Sequence, residues 1–232
     1  MMKHYEENIL LELQQDLKYN FKNIDLLIEA LTHPSNIIVE NKKNYERLEF
    51  LGDAVLNLII AEILYNKFSD SMEDKLSSMR AKLISCDAIC LVAERINLKD
   101  KIFLSTGEEK NGGRDNPRNT ENTLEAIIGA IYLDSGLGDA TRVVSELWND
   151  ILNRKDIFTL DPKTFLQEWS QKNKFNIPFY NVEDKTGPSH APEFLISVNV
   201  KSVGSALGRG SNKKEAEKEA AKKFIEKFID DE

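Results

Sequence analysis

Glu46, Glu49 and Asp53 recur at i, i+3 and i+7 within Tyr45-Glu46-Arg47-Leu48-Glu49-Phe50-Leu51-Gly52-Asp53-Ala54-Val55-Leu56. On a helix that spacing sets three carboxylates along one stripe. Leu48, Leu51, Val55 and Leu58 take the opposite face, and Phe50, Ala54 and Leu56 fill much of the remainder. A helix apolar almost all round is expected to be largely buried. Buried carboxylates are costly unless paired or bound to metal, and Arg47 points elsewhere. A second group follows in Glu121-Asn122-Thr123-Leu124-Glu125-Ala126-Ile127-Ile128-Gly129-Ala130, where Asn122 and Glu125 form an i, i+3 pair at a helix start. Ala126, Gly129 and Ala130 are small enough to admit a neighbouring helix closely. If the two helices pack together, Glu49, Asp53, Asn122 and Glu125 converge. Such all-oxygen ligands favour Mg²⁺, with Mn²⁺ able to substitute. A site of this kind activates water and shields phosphate charge during phosphodiester hydrolysis. Periodicity alone is equally compatible with a solvated acidic face. A di-iron bundle is excluded, because it needs Glu-x-x-His pairs and His4, His33 and His190 are not so placed.

The elements that must position these groups are helical up to about residue 155. Apolar residues recur at three- and four-residue spacing in Ile9 to Leu17, Ile24 to Leu31, Leu48 to Leu64, Leu76 to Ala93, Leu124 to Leu133 and Val143 to Leu152. Asn23 and Asp25 are suited to cap the second segment. Thr32 to Ser35 and Asn111 to Pro117 read as loops. After Asp161-Pro162 the pattern changes. A helix over Lys163 to Lys172 precedes strand-like runs at Phe179 to Asp184, Phe194 to Val200 and Val203 to Leu207. A last helix runs from Asn212, a good N-cap, to about Ile229. The order α-β-β-β-α defines a small α+β module. Lys213, Lys214 and Lys218 lie near the start of its last helix, where the helix dipole favours phosphate and disfavours lysine. That placement makes sense if a polyanion arrives there.

The whole chain carries 31 basic and 39 acidic side chains, a net charge of −8. Met1 to Leu160 holds 19 basic against 27 acidic residues, and Asp161 to Glu232 holds 12 against 12. The acidic excess therefore lies entirely in the helical part, which would need cations to meet a nucleic acid. The two cysteines, Cys86 and Cys90, make neither a disulfide framework nor a zinc site, and are expected to be reduced, partly buried thiols in a cytoplasmic protein. The start, MMKHYEENILLEL, is too acidic and interrupted for a signal peptide. No apolar run reaches the about 18 residues of a membrane span.

Glu46-Arg47-Leu48-Glu49-Phe50-Leu51-Gly52-Asp53 resembles the signature of the bacterial ribonuclease III family. Ala30-Leu31-Thr32-His33-Pro34-Ser35 resembles the family's early loop, and Gly107-Glu108-Glu109-Lys110-Asn111-Gly112-Gly113-Arg114 its glycine-containing connection. Leu124-Glu125-Ala126-Ile127-Ile128-Gly129-Ala130-Ile131-Tyr132-Leu133-Asp134 resembles its second catalytic helix, and the C-terminal module resembles a double-stranded-RNA-binding domain. The implied fold is multidomain, α and α+β. An all-α endonuclease domain over residues 1–155 is followed by an α-β-β-β-α RNA-binding domain over residues 161–230.

The resemblance implies a homodimeric, metal-dependent endoribonuclease acting on double-stranded RNA and leaving 5′-phosphate and 3′-hydroxyl ends. Its implied substrates are precursors of ribosomal RNA and some of mRNA and tRNA. Asp53 and Glu125 match the catalytic carboxylates, and Glu49, Asp53, Asn122 and Glu125 the metal-binding positions. Glu46 and Glu73 match auxiliary acidic residues. Gln167, Glu168 and His190 match positions touching RNA minor grooves, with Lys213, Lys214 and Lys218 on phosphates. Duplex RNA is read by shape, 2′-hydroxyls and phosphates rather than by base sequence. The family usually has Asp where this chain has Asn122. Asn keeps a carbonyl oxygen but loses a charge, which implies an active enzyme with a raised Mg²⁺ requirement. The alternative is a catalytically weak double-stranded-RNA-binding protein. His33 is expected to have a structural hydrogen-bonding role.

Overall fold

The three- and four-residue apolar periodicities close into helices in the computed structural model, which describes residues 2–36, 43–154, 161–188 and 192–229. The chain divides into two units, Met1–Phe158 and Thr159–Glu232. The described elements of the first are α1 (Met2–Leu17), α2 (Ile24–Leu31), α3 (Glu46–Lys67), α4 (Glu73–Leu83), α5 (Cys86–Glu94), α6 (Thr106–Lys110), α7 (Pro117–Ser135) and α8 (Leu137–Leu152). Short 3₁₀ turns occupy Pro34–Asn36, Leu98–Lys101 and Gly113–Asp115.

Capping decides several of these boundaries. The Asn23 carbonyl oxygen accepts the Asp25 amide at 3.2 Å, as its sequence position predicts. The expected helical run Leu76 to Ala93 is instead two helices. Ser85 is extended, with φ −68° and ψ 153°, and its hydroxyl accepts the Ala88 N–H to start α5 afresh. Asn116 caps α7 by accepting from Arg118 N at 3.1 Å, and Pro117 stands in the first turn, where a missing N–H costs nothing.

Helix α7 is the centre of the first unit, with Leu124 and Ala126 to Ile131 all buried. Around it pack Leu27, Leu31, Leu56, Ile59, Ile60, Ile89, Val144 and Trp148, each 0% exposed. The Trp148 indole N–H donates to Leu83 O at 2.9 Å, so this large ring is buried with its polar atom satisfied. At the end of α7, Asp134 accepts from the Tyr19 hydroxyl and from the backbone of Lys22 and Asn23, fixing the α1–α2 connection. Burial pushes Asp134 up, but these donors outweigh it and hold the carboxyl below its ordinary range.

Helices α3 and α7 cross with backbone against backbone. A Cβ on Gly52 would lie 1.7 Å from the Glu125 carbonyl oxygen, and one on Gly129 would lie 2.3 Å from the Leu48 carbonyl oxygen. Nothing larger than hydrogen fits at either position.

Helix α3 is less buried than its composition suggests. Leu48, Val55, Leu56, Ile59, Ile60 and Leu64 face the core, but Phe50 is 82% exposed, Leu58 55% and Tyr65 72%. The expectation of near-complete burial is corrected accordingly. The apolar surplus forms an outward stripe.

The second unit comprises α9 (Pro162–Lys172), β1 (Phe179–Thr186), β2 (Glu193–Val200), β3 (Gly204–Gly210) and α10 (Lys213–Phe228). The strands form one antiparallel sheet in the order β1-β2-β3, with a bulge between Val182 and Asp184. Val198 and Val200 face Leu166 of α9 and Ala220, Ala221 and Phe224 of α10. The third strand lies later than its apolar run suggests, because Val200 to Val203 forms the turn.

Introducing a methyl at the α3–α7 crossing forces two backbones apart. Gly129→Ala is expected to cost about 3 kcal/mol or more, as overpacking of rigid neighbours does. That lowers Tm by roughly 6–12 °C for a unit of this size. Calorimetry of the variant checks this, and an unchanged Tm would show that the crossing is looser than described.

Candidate active site

The crossing decides which acids meet. Glu49 and Asp53 flank Gly52 on α3, while Glu125 lies one helical turn before Gly129 on α7. Glu125 is buried, with 9% exposure, whereas Glu49 is half-buried and Asp53 exposed. The carboxylates therefore form a wall graded from interior to solvent, rather than the uniformly buried stripe expected from the helix pattern. Asn57 Nδ2 donates to Asp53 Oδ1 at 2.9 Å and holds that side chain along its own helix.

Electrostatics show that the groups act on one another. Burial pushes Glu125 up to about 8, and the charges of Asp53, Glu121 and Glu49 add to the shift, partly offset by Arg118. Glu49 is raised by burial and by Glu46, Glu121 and Asp53. Among the described residues, no three carboxylate, imidazole or thiol groups are drawn close enough to share one ion.

Asn122 is positioned from α3. Its side chain hydrogen-bonds Tyr45, a buried phenol that burial pushes up to about 12, with the Asn122 bond pulling the other way. The Tyr45 backbone joins the two flanking segments, since its N–H donates to Thr32 O at 3.0 Å and its carbonyl accepts from Glu49 N at 2.8 Å. His33 stacks edge-on to Tyr45 at 5.6 Å. Its Nδ1 accepts the Ser35 N–H at 3.0 Å, so the ring proton belongs on Nε2, which faces Asn119 Oδ1 at 3.3 Å. The structural role expected for His33 is what its contacts describe.

The remaining predicted residues are dispersed. Glu46, at the start of α3, is exposed and accepts from Asn44 Nδ2 at 2.9 Å. Glu73 belongs to the first turn of α4, where it accepts from Ser77 Oγ at 2.8 Å. Glu121 was not among the predicted site residues, yet it is 7% exposed and acts on both Glu49 and Glu125. Its i+4 spacing to Glu125 is the signal that finds it.

In the second unit, Gln167 and Glu168 are exposed on α9, and Lys213 and Lys214 on the first turn of α10. Asn212 Oδ1 accepts Glu215 N at 3.0 Å, and Glu215 accepts Ser211 N at 3.0 Å, so reciprocal capping supports that turn despite its lysines. Among the described residues, Lys213 and Lys214 have no ion-pair partner. The Lys218 ammonium, on an exposed side chain, lies 3.6 Å from Asp161 Oδ2. His190 lies outside the described residues.

The donor set of carboxylates and one amide suits a hard divalent cation, which would relieve the repulsion that raises Glu125. A folded-state value of about 8, above the ordinary 4.5, means that Glu125 favours folding in acid and that this contribution is lost as pH rises through 8. In chelator, Glu125→Gln is therefore expected to raise Tm by a few degrees at pH 8 and by almost nothing at pH 5. Thermal melts at both values test this, and equal gains at the two would defeat the charge argument.

Two family models match this chain. Residues 23–151 match the ribonuclease-III-like model, and residues 162–228 match the double-stranded RNA binding motif. The chain is 44% identical over 209 residues to ribonuclease 3 of Rickettsia felis and 46% identical over the same length to that of Rickettsia bellii. Each alignment covers 89% of this chain and 92% of the relative. The solved nuclease domain of Campylobacter jejuni ribonuclease III is similar at a TM-score of 0.57 and 44% identity, over 60% of this chain and 95% of that one. With its acids flanking the α3–α7 crossing and a separate α-β-β-β-α unit later in the sequence, the chain belongs to the ribonuclease III family.

Proposed function

We propose that this chain hydrolyses phosphodiester bonds in double-stranded RNA with a divalent cation, Mg²⁺ or in its place Mn²⁺, leaving 5′-phosphate and 3′-hydroxyl ends. The observation that carries this reading is the placement of Glu49, Asp53 and Glu125 beside the Gly52–Gly129 contact of two crossing helices, in a chain that also matches an RNA-binding motif. Residues 1–155 form the catalytic domain and residues 161–230 the RNA-gripping domain. Precursors of ribosomal RNA, and some of mRNA and tRNA, are the proposed substrates, in the cytoplasm. Among the described residues, no helix is long and apolar enough to cross a membrane.

When bound, the cation supplies Lewis acidity and neutralises charge developing on the phosphate. Glu49, Asp53 and Glu125 would hold it, with the Asn122 carbonyl oxygen assisting. Asp53, the most exposed of the three acids, faces the entering phosphate and water. Buried Glu125 anchors the inner end of the site, and its position is fixed by the adjoining glycine crossing. Tyr45 orients Asn122, and Glu46 and Glu73 shape the approach. In the second domain Lys213 and Lys214 offer uncommitted ammonium groups to phosphates at a helix N-terminus, with Lys218 shared between RNA and Asp161. Gln167, Glu168 and His190 face minor grooves.

A duplex presents two antiparallel backbones, and a two-fold dimer sets one site on each. The outward stripe of Phe50, Leu58 and Tyr65 on α3 is the apolar surface such a dimer would cover. The similar Campylobacter jejuni structure is described as flexible in a region involved in its own dimer formation.

Labelled duplex RNA incubated with the purified chain is expected to be cut with Mg²⁺ and left intact with EDTA. Asp53→Asn should lower the rate by at least about a hundredfold while the gel shift persists. A shift without cleavage at any metal concentration would instead identify a non-catalytic RNA-binding protein. Phe50→Asp is expected to move the sedimentation coefficient from dimer to monomer; an unaltered dimer would place the interface elsewhere.

A further inference from the structure

Glu121 and Arg118 precede Glu125 by one and two helical turns, on the same stripe of α7. Glu121 is buried at 7% exposure. Its Oε2 accepts from Arg118 Nη1 at 2.7 Å, and the Arg118 side chain is 72% exposed. A carboxylate buried on a helix stripe and covered by a guanidinium is not an ordinary solvated charge. It is held at fixed distance from the site, and a single solvent-facing cation partly masks it.

We infer that Glu121 is a positioning residue that sets the cation affinity of the catalytic site, and that Arg118 tunes this affinity by screening it. The inference rests on the proposed hydrolytic site. Asn122 contributes no charge, so an adjacent acid supplies the negative field that a neutral ligand lacks. Glu121 adjoins Asn122 and lies one turn before Glu125 on the same stripe of α7, buried at 7% exposure, and Arg118 covers it from solvent at 2.7 Å. The charge acts through space, so Glu121 need not ligate the ion. Its fixed position makes the effect independent of RNA.

The test is the affinity of the full chain for Mn²⁺ alone, without RNA, read by electron paramagnetic resonance of the free ion. Glu121→Gln keeps size and hydrogen bonding and is expected to weaken Mn²⁺ binding about tenfold, as loss of one nearby charge in a partly screened site does. Arg118→Gln, at an exposed position that should not disturb folding, is expected to tighten it about threefold, with the gain shrinking as salt rises. Glu121→Asp keeps the charge while shortening the side chain and is expected to retain most of the affinity, a result that a merely structural role for Glu121 would not give. Glu121→Gln and Arg118→Gln leaving affinity unchanged, or moving it in the same direction, overturns the inference. Failure of the underlying site reading is distinguishable, since the wild-type chain and Asp53→Asn would then bind Mn²⁺ equally.

Discussion

The contact between Gly52 and Gly129 is the constraint on which the site depends. Two helices ordinarily cross with side chains interleaved and axes about 8–10 Å apart. Here the Cβ positions of both glycines are already taken by the opposing backbone, so the axes approach as closely as the main chain allows. Glu49, Asp53 and Glu125 are all within one turn of that contact. Their mutual positions are set by two backbones rather than by flexible side chains reaching from a distance. Catalytic groups need such rigid support.

The same closeness stores electrostatic strain. Burial and three like charges act on Glu125 at once, and only Arg118 among the named influences opposes them. The α7 stripe is otherwise entirely apolar or satisfied, with Thr123 donating to Asn119 O at 2.6 Å and Asn119 donating to Gly113 O at 2.9 Å. The helix is well enough anchored to hold an unfavourable cluster in place. The proposed cation would relieve that repulsion.

The two units solve different problems. The first surrounds α7 with apolar helices, yet leaves Phe50, Leu58 and Tyr65 outside, a surface with no use in an isolated chain. The second builds a small core from one sheet and two helices and sets Lys213 and Lys214 at a helix N-terminus. Capping by Asn212 and Glu215 offsets the cost of those lysines, so the positive surface exists without unwinding the turn.

Local physics made much of this legible in the sequence. Helical periodicity located α2, α3, α7 and α8, Asn23 and Asn212 marked helix starts, and the small residues around Gly129 announced a close approach. Spacing also placed Glu49 with Asp53, and Asn122 with Glu125, because those pairs share a helix and need only its 3.6-residue repeat. Whatever depends on two segments meeting needed the tertiary structure. Periodicity cannot distinguish a core face from an outward apolar stripe, so Phe50 and Leu58 were misread as buried. The break at Ser85 was hidden inside a continuous apolar pattern. The gradient from buried Glu125 to exposed Asp53, the bond from Tyr45 to Asn122 and the burial of Glu121 all arise across helices or at their surface. Sequence fixes which side chains share a face; burial and charge coupling are properties of the space between faces, which exists only after the chain has folded.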